Sequence, residues 1–429
     1  MSKRPTAKRP LIPYEWPGSY LFDEEERLAV NKVIDARSPF RYYGHDLQHF
    51  ADRLEEAYRQ RLGRKHALAV NSGTSALSIA MTMLDVGPGD EVLVPGYFWV
   101  SCASAVVRAG AIPKLVEIDD TFVMDPDDLA RKISEHSKAV LLVHMSGATG
   151  RLDRLLEVAR HHGLPVIEDV AQANGASFRG QPLGAFGEMA IFSFQYNKAI
   201  TAGEGGLLVC DDDEFYRRAV AAHDLGYPRN ESGRLVTEDP ATQLWGQGSR
   251  MSELSAAMLV AQESKLDRLI GQMRSLNDRL YRELGKISAV TPRSRPDPSG
   301  DNGAFVILSW PDPSTNAAMI AATRSAGVVP GPKGLNNLTF NEWGLHLYYN
   351  NASLVHRRGV NSRGYPWADP ANAFAAHYSY RKGELPRADD LFARSSLLAV
   401  PPAMSDDEVE AIVEIYHECA RDQGLEVHP

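Results

Sequence analysis

The stretch His66-Ala67-Leu68-Ala69-Val70-Asn71-Ser72-Gly73-Thr74-Ser75-Ala76-Leu77 sets a short apolar run against a turn of small polar residues, then opens a helical pattern. Residues 66–70 are predicted to form a strand and 75–84 a helix, which Gly87 and Gly89 close. The alternation continues outward. Further apolar runs at 91–95, 112–118, 139–144, 164–169, 189–194 and 206–210 read as strands. Between two of them, residues 151–162 place Leu152, Leu155, Leu156 and Ala159 on one helical face. Strands apolar on both faces and separated by helices predict an α/β domain with a mostly parallel sheet.

After about residue 255 the texture changes. Residues 255–284 form one long helical pattern with Gly285 as its stop, followed by a proline-rich linker at 292–298. A strand at 304–310, a helix at 316–326 and an amphipathic helix at 405–420 follow. Residues 330–376 are rich in Gly, Asn and aromatics with little periodicity, and read as a long loop lining a site. The expected organisation is an N-terminal arm (1–25), a large domain (26–265) and a smaller C-terminal α+β domain (266–429).

Composition excludes several classes of function. With 46 basic and 55 acidic side chains the net charge is −9, unsuited to a phosphate backbone, so no nucleic acid is expected. Three widely spaced cysteines (Cys102, Cys210, Cys419) form no metal-ligand pattern, and no metal is expected. The most apolar stretch, 92–107, is broken by Pro95, Gly96, Ser101 and Ser104 and is too short for a membrane span. The basic start, residues 1–10, is followed by no apolar signal core, so the expected compartment is the cytoplasm.

Four segments bear chemistry. The turn at Ser72-Gly73-Thr74-Ser75 exposes backbone N–H groups at a helix start, which favours an anion; alone, such a turn simply caps a helix. Glu168 and Asp169 end a buried strand, where open α/β sheets place ligands; alone, an aspartate there is an N-cap. Lys198 lies just beyond the strand at 189–194 and before Gly203-Glu204-Gly205-Gly206. In a dehydrated site its amine loses proton affinity and can attack a carbonyl carbon, although most loop lysines are solvated charges. Tyr97-Phe98-Trp99 offers a flat face for a planar ring, or simply core packing.

Taken together, the order and spacing of these segments resemble the DegT/DnrJ/EryC1/StrS family of pyridoxal-phosphate-dependent aminotransferases. The motifs that carry it are Ser72 to Leu77, Gly87-Pro88-Gly89-Asp90-Glu91-Val92, Val166-Ile167-Glu168-Asp169 with Gln172, and Phe192-Ser193-Phe194 through Lys198 to Gly206. The resemblance implies fold type I, the aspartate aminotransferase fold, and pyridoxal 5′-phosphate as cofactor. It makes Lys198 the covalent attachment point and catalytic base. Asp169 pairs with the ring nitrogen, Gln172 lies near the ring oxygen, and Trp99 stacks on the ring. Gly73, Thr74 and Ser193 hold the phosphate. Arg41, Tyr43, Arg250 and His346 are candidate substrate contacts.

An intact Lys198 favours transamination over the family's dehydratases, which carry histidine there. The motifs are closest to the scyllo-inosose aminotransferase and aminohydroxybenzoate synthase branch. That implies an amino donor (glutamine or glutamate), a keto-cyclitol or keto-sugar acceptor, and a homodimer with shared sites. A lyase or dehydratase on the same fold, or a non-catalytic cofactor-binding regulator, are the alternatives. Two departures stand out. In the family's Gly-x-Asn-x-Arg element Gly248 replaces the asparagine, and Asn174 replaces a histidine common after Gln172.

Overall fold

The computed structural model describes residues 16–328 and 337–429. The first fifteen residues of the expected arm, and 330–336 of the expected loop, lie outside them. Helix α1 (Glu24–Asp35) begins at a capping box in which Asp23 and Glu26 each take the other's backbone N–H. Helix α2 (Phe50–Leu62) follows and leads into β1 (His66–Val70). Next come α3 (Gly73–Met83), β2 (Glu91–Pro95), α4 (Val100–Ala109) and β3 (Ile112–Val116). Then β4 (Ser137–Val143), α5 (Leu152–His161), β5 (Val166–Asp169), β6 (Met189–Ser193), β7 (Gly206–Cys210) and α6 (Asp213–His223) complete the first layer system.

The seven strands run in the order β1-β7-β6-β5-β4-β2-β3. Five are parallel neighbours, whereas β7 pairs antiparallel with both β6 and β1. Successive residues of β1 face opposite sides: Leu68 and Val70 join one apolar cluster, Ala67 and Ala69 the other. Covering both faces is what a parallel sheet requires, and it leaves the carboxyl ends of the strands as the open edge.

The expected single helix at 255–284 is two, α7 (Glu253–Glu263) and α8 (Leu266–Leu284). No glycine or proline breaks it. Instead the Lys265 ammonium at the junction is drawn into a buried site, reaching Glu26 at 2.9 Å and the Leu21 carbonyl at 3.2 Å. Tertiary anchoring overrides helical propensity there. Glu253, buried on α7, accepts the amides of Phe50 (2.6 Å) and Ala51 (3.0 Å), which supplies α2 with the cap its own His49 does not make.

A second, antiparallel sheet has the order β8 (Thr291–Pro292), β9 (Phe305–Ser309), β11 (Ser395–Ala399) and β10 (Asn337–Thr339). Helices α8, α9 (Pro313–Ser325) and α10 (Asp406–Asp422) cover it over a core that includes Trp310, Tyr416 and Leu398. The region expected as a loop holds β10 and short helical turns at Phe340–Glu342, Gly344–His346, Tyr348–Asn350, Ala352–Val355 and Pro370–Ala375. Helical turns of three to six residues are too short to display a periodic pattern in the sequence. Among the described residues no helix is long and apolar enough to cross a membrane.

Candidate active site

At the carboxyl edge of the large sheet lies a cavity of about 660 Å³. The loop from β6 to β7 delivers Lys198 to it. Phe194 and Tyr196 donate their amides to Gly205 and Gly203, folding the loop back on itself, and Lys198 N–H bonds the Gln195 carbonyl. From the N-terminal segment, Gly18 N–H donates to the Lys198 carbonyl at 3.0 Å. A Cβ on Gly18 would stand 2.9 Å from that oxygen, so only glycine approaches this closely.

Asp169, at the end of β5, faces the same cavity. Its Oδ1 accepts the Ala171 amide at 2.9 Å and its Oδ2 the Cys102 thiol at 3.2 Å. Burial pushes its proton affinity up, against the Ala171 and Cys102 bonds and the Lys198 charge. Burial pushes Lys198 down, with Asp169 opposing it. Neighbouring Glu168 points to the other face of the strand. There, despite complete burial, His144 and the amides of Gly184, Phe186 and Gly187 hold its carboxyl below the usual range. One strand end thus carries a pinned structural anion on one side and a carboxylate with spare acceptor capacity on the other.

The start of α3 opens on the cavity. Ser72 caps it, accepting the Ser75 amide at 3.1 Å, and Gly73 and Thr74 follow in the first turn. An added Cβ on Gly73 would lie 2.8 Å from Ser193 Cβ, so this glycine lets the helix start and β6 meet. Trp99 precedes α4 with 41% of its surface exposed; two residues on, the Ser101 hydroxyl bonds that of Thr74 at 2.9 Å. Across the cavity the Gly344–His346 turn brings His346 against Trp99, with ring centroids 4.8 Å apart.

A family model, that of the DegT/DnrJ/EryC1/StrS aminotransferase family, matches residues 22–331. The chain belongs to this family. It is 33% identical over 282 residues to a 3-amino-5-hydroxybenzoate synthase of Amycolatopsis mediterranei, covering 65% of this chain and 70% of that one. It is 38% identical over 265 residues to an L-glutamine:scyllo-inosose aminotransferase of Streptomyces griseus, covering 58% and 60%. A crystal structure of 3-amino-5-hydroxybenzoic acid synthase superposes with a TM-score of 0.75 at 26% identity, over 97% of this chain and all of that one. The fold is accordingly that of the aspartate aminotransferase-like enzymes, a mostly parallel sheet between helices.

In this DegT/DnrJ/EryC1/StrS aminotransferase the cavity lining brings together Gly73, Thr74, Trp99, Asp169, Gln172, Ser193, Lys198 and His346. Arg41, Tyr43 and Arg250 do not line it. The Arg41 guanidinium is buried, paired with Glu55 at 2.8 Å and Asp52 at 3.2 Å. Arg250 is paired with Asp224 and lies over the Phe40 ring. Tyr43 is exposed beside that ring, 4.7 Å between centroids. Gly248 sits at φ +63° with open space where a Cβ would go, so backbone strain, not crowding, is what glycine avoids there. Asn174, in place of the family's histidine, donates to the Tyr58 hydroxyl at 2.8 Å in the core.

Sequence reasoning passed over Cys102, which stands one helical turn past Trp99 and could have been found by that i, i+3 spacing. It also passed over Asn302, which donates to the Gln172 carbonyl from 130 residues away and left no local signal.

Proposed function

We propose that this chain is a glutamine-dependent aminotransferase acting on a ketone of a cyclitol or related polyhydroxylated ring, with pyridoxal 5′-phosphate as its cofactor. The carrying observation is the convergence of Lys198, Asp169 and the α3 start on one cavity. The residues fit the cofactor. The Gly73 and Thr74 amides with the Ser193 hydroxyl suit its phosphate, the spare lone pairs of Asp169 suit a protonated ring nitrogen, and Trp99 suits the ring face. When bound, the cofactor supplies an electron sink for the donor's Cα–H bond.

The protein's own groups do the rest. Asp169 would hold the ring nitrogen through its spare lone pairs and, as a carboxylate, would favour that nitrogen's protonated form. Lys198, its ammonium disfavoured by burial, would hold the cofactor through its amine, and that amine could take and return a proton beside it. Gln172 directs an amide N–H into the cavity. The Trp99 and His346 rings, 4.8 Å apart, give the cavity an aromatic wall.

The units 26–265 and 266–429 serve as cofactor-binding and closing portions of a cytoplasmic homodimer. Support for the dimer comes from charge. Among the described lining residues, Lys198 is the one lysine or arginine, and a donor α-carboxylate needs a further cation. The segment with Arg250 runs beside the cavity rim, Asn71 N–H bonding the Ser249 carbonyl at 2.8 Å. The partly exposed Arg250, beside the exposed Tyr43, therefore serves the cavity of a second copy, whereas Arg41 is held inside this chain by Glu55 and Asp52.

The test is transfer of label from α-¹⁵N-glutamine to scyllo-inosose and to related keto-cyclitols, read by mass spectrometry. Labelled aminocyclitol is expected. No labelled amine from any of these ketones, with either glutamine or glutamate as donor, refutes the reading.

A further inference from the structure

His346 is placed where a substrate contact would be, but its nitrogens are already engaged. Nδ1 lies 2.7 Å from the Trp343 carbonyl oxygen, which can only accept, so Nδ1 carries the proton and donates. In the neutral ring Nε2 is then a bare lone pair, and it faces Gln172 Nε2 at 3.5 Å. The ring stays neutral because burial pushes its pKa down to about 4, the Trp343 carbonyl opposing and the Lys198 charge adding to the fall. At the other end of the Gln172 amide, Oε1 accepts the Ser146 backbone N–H at 3.0 Å, and a backbone N–H can only donate. Two independent partners therefore require the same orientation of the amide.

The chain of bonds closes. Ser146 Oγ is 2.7 Å from the Tyr97 hydroxyl, which also accepts the Trp343 indole N–H at 2.9 Å. Trp343 also stacks on His346, with centroids 4.3 Å apart and planes 13° from parallel. The ring of bonds thus runs Trp343–His346–Gln172–Ser146–Tyr97–Trp343, and donor chemistry fixes the direction of every link except the Ser146–Tyr97 hydroxyl pair. Ser146 holds its place at φ +56°, a left-handed conformation that costs a non-glycine residue about 1–3 kcal/mol and needs surrounding structure to maintain it.

We infer that His346 is a positioning residue rather than a substrate contact: it takes one N–H of Gln172 and thereby aims the other at the oxygen of the cofactor ring. The inference rests on the cofactor reading above. Its consequence is that Trp343 and His346, remote in sequence from the sheet, tune the cofactor rather than select the acceptor.

Two substitutions separate the roles. His346→Phe keeps the stacking ring and removes the acceptor, whereas His346→Gln places an amide oxygen near the position of Nε2. The readout is the visible absorption band of the purified cofactor-loaded enzyme, titrated with pH without substrate, alongside KM for both substrates. Losing an N–H donated to an anionic oxygen raises that oxygen's proton affinity, so His346→Phe is expected to raise the titration midpoint by about 0.5 unit or more. KM should stay within about twofold, since no uniform binding is lost. His346→Gln is expected to restore the wild-type midpoint, and Gln172→Ala to reproduce the His346→Phe shift. An unmoved midpoint in His346→Phe overturns the inference, whatever happens to KM. A wild-type protein with no visible band refutes the cofactor reading itself, a distinct result.

Discussion

Acidification tests the packing around His223, the last residue of α6. Its Nδ1–H donates to the Val220 carbonyl and its Nε2 accepts the Tyr42 hydroxyl at 2.9 Å, with the side chain wholly buried. Burial, then the nearby Arg41 charge, pushes its pKa from 6.5 down to about 4; Val220 and Asp224 oppose the fall and Arg250 adds to it. For a base depressed by folding, stability is full above the unfolded pKa and is lost as pH falls from there toward the folded value. The unfolded chain takes up a proton that the native one refuses. Between about pH 7.5 and about pH 5, that loss is about 2 kcal/mol for this one ring.

His346 contributes a parallel loss, so the measurement must be a difference. Urea denaturation followed by tryptophan fluorescence at both pH values, on wild type and His223→Asn, isolates the group. The asparagine amide can still donate to Val220. We expect the variant to be less stable at about pH 7.5, by about 1 kcal/mol for the lost Tyr42 bond, yet to lose about 2 kcal/mol less than wild type on acidification. Equal losses in the two proteins would refute the assignment of a neutral buried His223.

Lys198→Ala should lower ¹⁵N transfer by about 10²-fold or more while leaving the far-ultraviolet circular dichroism unchanged. Gly73→Ala forces a Cβ to within 2.8 Å of Ser193 Cβ. Thermal melting should show a cost of about 1–3 kcal/mol, and dialysis should remove cofactor faster than from wild type. Glu253→Ala leaves the Phe50 and Ala51 amides buried without an acceptor. Chemical denaturation should register a loss of about 2 kcal/mol.

What the sequence made legible was whatever is encoded over short spans. The strands at 66–70 and 206–210 match β1 and β7 end to end, because apolar runs bounded by turns are local signals. The cavity residues from Gly73 to Lys198 were readable for the same reason: they end or closely follow strands, and strand ends converge on one edge. Arg41 and Arg250 could not be placed from the sequence, because where an arginine points depends on which carboxylate reaches it. Glu55 and Asp224 claim these two, and no spacing announces that. The break at Lys265 was hidden likewise, since its cause, Glu26, lies on another helix.

The ring through Trp343, His346, Gln172, Ser146 and Tyr97 also bears on how this enzyme can change. Once one link is cut, the neighbours reorient, so a second cut removes little more; losses within such a set do not add. The five positions therefore behave as one unit, and an exchange that removes a link without replacing its donor or acceptor disturbs the whole. Leu345, by contrast, sits in the same turn, lines the cavity, is 43% exposed and belongs to no link of the ring. A search for a new acceptor can therefore vary Leu345 while the five stay in place.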